Sequence, residues 1–193
     1  MRGHIEDLSD GSKKDELLGE ADHLLDTFNA LLRISRIEAE KQRSHFQDVN
    51  LKDLLEDVID FYEPLMDEKS ITLATDLNNT NLRGDRDLLF QAYANLLDNA
   101  VKYTPKGGDI SVTLKQDGDK TYVAISDTGG GVDEGEQNKI FQRFYRSEAC
   151  RSSQGTGLGL TLVTAVIDLH EGSIVAENTL LNDNAGLSII TIF

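Results

Sequence analysis

Three side chains on one predicted helix have the types and spacing to handle phosphate. Asn95, Asn99 and Lys102 are four and three residues apart, so they stack on one helix face. Two amides and an ammonium make a poor core face, since each unsatisfied buried amide costs about 1–3 kcal/mol. The same stripe suits phosphate oxygens and magnesium, which takes oxygen ligands and shares its shell with phosphates and water. Asp127 ends a predicted strand containing Val123, Ala124 and Ile125. A carboxylate on such an apolar floor can accept from an exocyclic amine like that of adenine. Gly129 and Gly131 follow, letting the backbone turn sharply and approach a base without Cβ clashes. Gly155, Thr156, Gly157, Leu158, Gly159 and Leu160 run straight into a predicted helix. Its first-turn N–H groups lack internal partners and carry the positive dipole end, a ready phosphate site. This is not a P-loop, because no Lys-Ser/Thr follows, and it opens no parallel βαβ repeat. Taken singly, the helix stripe and the Asp-Gly turn read better as a polar helix face and a common turn; their combination carries the inference.

These groups need elements to position them. Arg86 to Lys102 is predicted helical behind an Asp85 cap, and Leu51 to Lys69 behind an Asn50 cap, with Leu54, Leu55, Val58, Ile59 and Tyr62 inward and Pro64 inside the pattern. Strands are predicted at Ile71–Leu77, Leu82–Gly84, Asp109–Leu114, Thr121–Asp127, Ile174–Asn178 and Gly186–Phe193, and a helix at Leu158–His170 stopped by Gly172. Thr128 to Thr156 is a long connection, broken by a short helix near Gln137–Phe144; a loop of that length is a functional lid or a disordered segment. It carries Arg143, Arg146 and Arg151, whose guanidinium groups would stabilise charge on a γ-phosphate within reach, although at least one of them is a solvated surface arginine. This mixture predicts an α+β fold, a two-layer α/β sandwich with helices on one face of a mostly antiparallel sheet.

The N-terminal region differs. Lys14 to Gln42 reads as one long helix with Leu18, Ala21, Leu25, Phe28 and Leu32 as an apolar stripe, widened by Leu17, Leu24 and Leu31. Met1–Ser9 reads as the tail of another helix, Asp10-Gly11-Ser12 as a turn, and Arg43–Asn50 as a hinge. The stripe either packs on the chain's own domain or dimerises as a helical bundle, the reading adopted here. Residues 1–45 are thus assigned to a helical hairpin and 46–193 to the nucleotide domain.

Bulk properties narrow the partners. With 19 Lys plus Arg against 34 Asp plus Glu, the 193 residues carry a net charge of −15, which argues against nucleic acid. A single Cys150 permits no internal disulfide. No apolar run approaches the roughly 20 residues needed to span a bilayer, and the N-terminus lacks a signal-peptide core; the expected location is cytoplasmic.

The order Asn95–Tyr103, Asp127–Gly131, Phe141–Arg146 and Gly155–Leu160 resembles the N, G1, F and G2 boxes of sensor histidine kinases of two-component systems. The likeness covers roughly Val49 to Phe193. It implies a Bergerat-type ATP-binding fold, with Asn95 as the Mg²⁺ ligand, Asn99 and Lys102 on phosphates, and Tyr103 against the adenine. Phe141 and Phe144 match the aromatic pair that pins the lid. The resemblance further implies ATP and Mg²⁺ as cofactors, a homodimer, a response-regulator receiver domain as partner, and an inner-membrane parent with this part in the cytoplasm.

One element of that family is missing. None of His4, His23, His45 and His170 is followed by an acid and then Leu-Arg/Lys-Thr-Pro, the phosphoacceptor pattern. His170-Glu171 starts it but continues Gly172-Ser173. Arg2–Glu6 resembles a segment that lies about three turns after the acceptor, so the chain is expected to begin partway down the acceptor helix and not to phosphorylate itself. Other readings are a non-catalytic nucleotide-binding or dimerisation module, and a hydrolytic ATPase of the same superfamily, though its helix glutamate is replaced near Asn95 by amides. Anti-sigma-type serine kinases share the boxes but usually lack such a bundle helix.

Overall fold

Asn50 ends one element and caps the next. A computed structural model of the chain describes residues 25, 27–35, 37, 45–133, 135–146 and 156–193. Strand β1 (Gln47–Asn50) pairs antiparallel with β3 (Asn81–Gly84). Asn50 Oδ1 then accepts from the N–H groups of Lys52 and Asp53, at 3.0 and 3.3 Å, and starts helix α2 (Leu51–Glu68). Residues 47–50 are therefore a strand, where the sequence predicted a hinge. A lone buried valine, Val49, among three polar residues gives no alternation to read; the partner that orders the segment lies more than thirty residues away.

Asp85 does the same for helix α3 (Arg86–Tyr103), accepting from Asp87 and Leu88 at 3.0 and 3.1 Å. Helix α4 spans Gly159–Leu169. The main sheet holds β2 (Thr72–Leu77), β4 (Asp109–Asp117), β5 (Lys120–Asp127), β7 (Asn184–Ile192) and β6 (Ser173–Leu181), in that spatial order. Only β2 and β4 run parallel; the remaining pairs are antiparallel. The expected sandwich is thus observed, with one parallel pair at its edge.

Alternation sends Ile110, Val112 and Leu114 of β4, Val123 and Ile125 of β5, and Ile189 of β7 into the core. They join Leu54, Leu55 and Val58 of α2, Leu89, Tyr93 and Leu97 of α3, and Val163, Val166 and Ile167 of α4. Tyr93 is fully buried, and its hydroxyl lies 3.0 Å from Thr191 Oγ1, tying α3 to β7.

The turn after α4 departs from expectation. The left-handed residue there is Glu171 (φ 60°), not Gly172. Gly172 is needed for packing instead, since a Cβ on it would meet the Ile192 carbonyl at 2.7 Å. Beside it, His170 is buried: Nδ1 lies 2.7 Å from the Val166 carbonyl, Nε2 accepts from the Asp85 N–H at 2.9 Å, and the ring stacks on Phe46. With both nitrogens engaged, His170 pins α4 to the start of α3.

Of the N-terminal assignment, residues 1–24 and 38–44 lie outside the described residues, and with them His4, His23, Leu17, Leu18, Ala21 and Leu24. Residues 27–35 are helical (α1). Ile34 and Ile37 are buried in the same apolar cluster as α2, α3, α4 and the main sheet, whereas Leu25, Phe28 and Leu32 are each more than half exposed.

Candidate nucleotide site

The floor of the site follows from the strand period. Val123, Ile125 and Asp127 rise from the helix-covered face of β5, beside Thr191 and Ile189 of β7. Asp127 is buried, and its Oδ1 accepts from the Gly129 N–H at 2.7 Å. Burial pushes its carboxyl up to about 6, against the opposing pull of the Gly129 and Leu187 N–H groups. The carboxylate is thus ionised at neutral pH but poorly solvated, which favours an N–H donor from a ligand. A Cβ on Gly129 would stand 2.7 Å from Asp127 Oδ1, so only glycine lets the backbone close over the carboxylate.

One wall is α3. Asn95 donates from Nδ2 to the Gln91 carbonyl at 2.8 Å. That bond fixes which end of the amide faces outward: a carbonyl only accepts, so Oδ1 points across to Gly159, where an added Cβ would meet it at 3.0 Å. A hard oxygen, not a nitrogen, is thereby presented to the cleft. Asn99 lies one turn further on, and Lys102 Nζ sits 5.4 Å from the Tyr103 ring centre. The last turn of α3 is held from outside. Lys69, just past α2, donates to the carbonyls of Val101, Lys102 and Thr104 at 2.7, 3.1 and 3.3 Å. A cation at a helix C-terminus satisfies orphan carbonyls and complements the dipole.

The opposite wall is the start of α4, which has no side-chain cap of its own. Thr156 Oγ1 accepts from the Leu158 N–H at 3.3 Å, and Gly157 takes φ 69° with the Phe144 backbone only 3.0 Å from where a Cβ would stand. Residues 135–146 form successive turns, where a short helix was expected. Their bonds close mostly over three residues, as from Lys139 N–H to Glu136 and from Gln142 N–H to Lys139.

Together these elements enclose a cleft of about 480 Å³, within the usual range for small-molecule sites. It is lined by Asn95, Asn99, Lys102, Tyr103, Asp127, Gly129 and Gly131, and by Arg146, Thr156, Gly157, Gly159 and Leu160. Three expected residues do not line it. Leu158 turns its side chain into the core, Phe144 is more than half exposed at φ 62°, and Arg143 lies outside the lining. Phe141, rather than Phe144, packs on the core. Gly155 and Arg151 lie outside the described residues. Sequence reasoning missed the apolar walls Ile125, Ile140, Leu187 and Ile189, and also Tyr145. The period of two within β5 was the signal that could have found Ile125, whereas Leu187 and Ile189 reach the cleft only through the pairing of β7 with β5.

This chain belongs to the histidine kinase-, DNA gyrase B- and HSP90-like ATPase family, whose pattern matches residues 84–192. Its relatives are sensor histidine kinases, and its fold is that of their catalytic domains. The sensor-like histidine kinase SenX3 of Mycolicibacterium smegmatis is 31% identical over 163 residues, which is 83% of this chain and 42% of SenX3. Full-length ShkA in complex with AMPPNP is 27% identical and superposes with a TM-score of 0.77, over 94% of this chain and 38% of that one. Histidine kinase ThkA in complex with the response regulator TrrA is 25% identical with a TM-score of 0.73, over all of this chain and 54% of the other. The chain spans less than half the length of SenX3. Among the described residues, no helix is long and apolar enough to cross a membrane.

Proposed function

We propose that this chain is the kinase core of a two-component sensor histidine kinase: it binds Mg-ATP and passes the γ-phosphoryl to a histidine, for relay to a response-regulator aspartate. The observation that carries the reading is the convergence of Asn95, Asn99 and Lys102, the buried Asp127 and the uncapped start of α4 on one cleft. Asp127 accepts from the adenine amine while Ile125, Leu187 and Ile189 cover the ring and Tyr103 lies against it. Lys102, Arg146 and the α4 N–H groups take the phosphates.

Among the described residues, no three His, Cys, Asp or Glu side chains cluster as a metal cage. The fit is to Mg²⁺, which needs few protein ligands when phosphates supply the rest, with the Asn95 oxygen as the protein's contribution. Bound there, the ion would neutralise phosphate charge. The chain's residues hold the triphosphate still. The acceptor imidazole nitrogen attacks the γ-phosphorus in line, the bond to the β–γ bridging oxygen breaks, ADP departs, and the imidazole gives up its N–H proton. Catalysis on this scheme is positioning and charge stabilisation.

The likeness to ThkA, solved with a response regulator, supports a receiver domain as the downstream partner, and the likeness to ShkA, solved with AMPPNP, supports an adenine nucleotide. The exposed Leu25, Phe28 and Leu32 support dimerisation through a helical bundle. The site of action is the cytoplasm, with an inner-membrane sensor as parent. The test is γ-labelled ATP mixed with this chain and a separately supplied acceptor helix from a sensor kinase. Acid-labile label on the supplied helix, and none on the chain, is expected. Label on His4, His23, His45 or His170, or none on either partner, would contradict the assignment.

A further inference from the structure

Asn178 belongs to no motif of the sequence, yet it grips the glycine turn on both sides. It stands on β6, the edge strand, opposite Leu187, so its side chain rises on the face that carries the cleft. Its Oδ1 accepts from the Val132 N–H at 2.9 Å, and its Nδ2 donates to the Val132 carbonyl at 2.6 Å. One side-chain amide thus pairs with one residue's backbone as a neighbouring strand would. The adjoining hairpin adds a third tie, from the Gly130 N–H to the Ala185 carbonyl at 3.3 Å. The fit is close. Gly131 sits at φ 73°, and a Cβ there would meet Asn178 Oδ1 at 2.7 Å and the Gly186 carbonyl at 3.1 Å. Gly186 itself passes so near the Asp127 carbonyl that any side chain would collide with it.

Gly131 and Val132 line the cleft, whereas Asn178 does not. Beyond Val132 the chain leaves the sheet and turns through 135–146, bringing Ile140, Tyr145 and Arg146 over the same cleft. We propose that Asn178 is a positioning residue for nucleotide binding: its amide fixes Gly131 and Val132 at the spacing from Asp127 that a purine needs, and anchors the root of the segment bearing Arg146. This rests on the cleft being the nucleotide site. Removing the anchor leaves Gly131–Val132 in several arrangements, only some of them competent, and apparent affinity falls with the competent fraction.

The test is equilibrium dialysis of labelled ATP with Mg²⁺ against the whole chain, as wild type, Asn178→Ala and Asn178→Asp, with thermal melting of each in the absence of nucleotide. Asn178→Ala is expected to bind about tenfold more weakly, with an unchanged melting temperature, because the residue is exposed on an edge strand. Asn178→Asp keeps the acceptor for the Val132 N–H and loses the donor, so an intermediate affinity is expected. Wild-type affinity in Asn178→Ala would overturn the proposal. So would weakened binding that tracks a lowered melting temperature across both variants, which is what a purely structural role gives. A folded wild type that takes up no ATP would instead overturn the reading of the cleft, and the positioning role with it.

Discussion

The ammonium of Lys69 stands 2.7 Å from the carbonyl oxygen of Val101, in the last turn of the helix that carries Lys102 and Tyr103. Two further carbonyls, of Lys102 and Thr104, complete its shell. A residue just past α2 therefore sets where the cationic end of this cleft wall lies. Lys69→Met leaves three carbonyls short of a charged donor, and stability is expected to fall by about 1–3 kcal/mol. Nucleotide affinity falls with it, because the last turn of α3 frays. Lys69→Arg recovers most of both. Urea denaturation and ATP titration of the pair check this; a Met variant with wild-type stability and affinity contradicts it.

Asp127 couples the site to pH. Burial raises its carboxyl from the ordinary 3.8 to about 6. Between those values the folded chain holds a proton that the unfolded chain has released, so this group's contribution to stability is full below about 3.8 and is lost as pH rises towards about 6. On the proposed reading ligand binding runs the other way, since it is the ionised form that would accept from the adenine amine. Adenine-nucleotide affinity is expected to drop as pH falls through about 6. Asp127→Asn should weaken binding at neutral pH by about ten- to hundredfold and remove that inflection. Titrations at several pH values on both proteins read it directly.

Gly157 combines a left-handed φ of 69° with a Phe144 backbone that leaves no space for a Cβ. Gly157→Ala is expected to cost about 1–2 kcal/mol in backbone strain alone and to displace the start of α4, to which the proposal assigns the phosphates. Affinity for ATP should suffer more than affinity for adenosine. Equal losses for both ligands would show that this turn does not serve the phosphates.

His170 is occupied structurally, with Nδ1 at the Val166 carbonyl and Nε2 accepting from the Asp85 N–H. His170→Ala is expected to destabilise the fold by about 2–4 kcal/mol, from the lost ring and the orphaned N–H. Phosphoryl transfer per folded molecule to a supplied acceptor stays as in wild type. Loss of transfer in a folded variant would contradict a purely structural role for His170.

Local signals were the legible ones. Asp85 and Asn50 announce their helices because a cap bonds to N–H groups two and three residues away. The apolar run of Val123, Ala124 and Ile125 marked Asp127 as a carboxylate on an apolar floor, and a 4–3 spacing put Asn95, Asn99 and Lys102 together. The residues that escaped act at long range. Lys69 reaches carbonyls more than thirty residues on, Asn178 reaches back forty-six residues to Val132, and β1 exists only because β3 lies beside it. Phe144 was misplaced for a related reason. An aromatic pair three apart reads as one helical face, but the segment folds as short turns that pack Phe141 against the core and expose Phe144.

Calorimetric titration of the folded chain with ATP, with and without Mg²⁺ and against GTP as the control, tests the central claim most directly. The account predicts uptake of one adenine nucleotide per chain, dependent on Mg²⁺ and lost in Asp127→Asn, with no comparable heat for GTP. A well-folded chain that shows no Mg²⁺-dependent binding of ATP, or that binds GTP equally well, would contradict it.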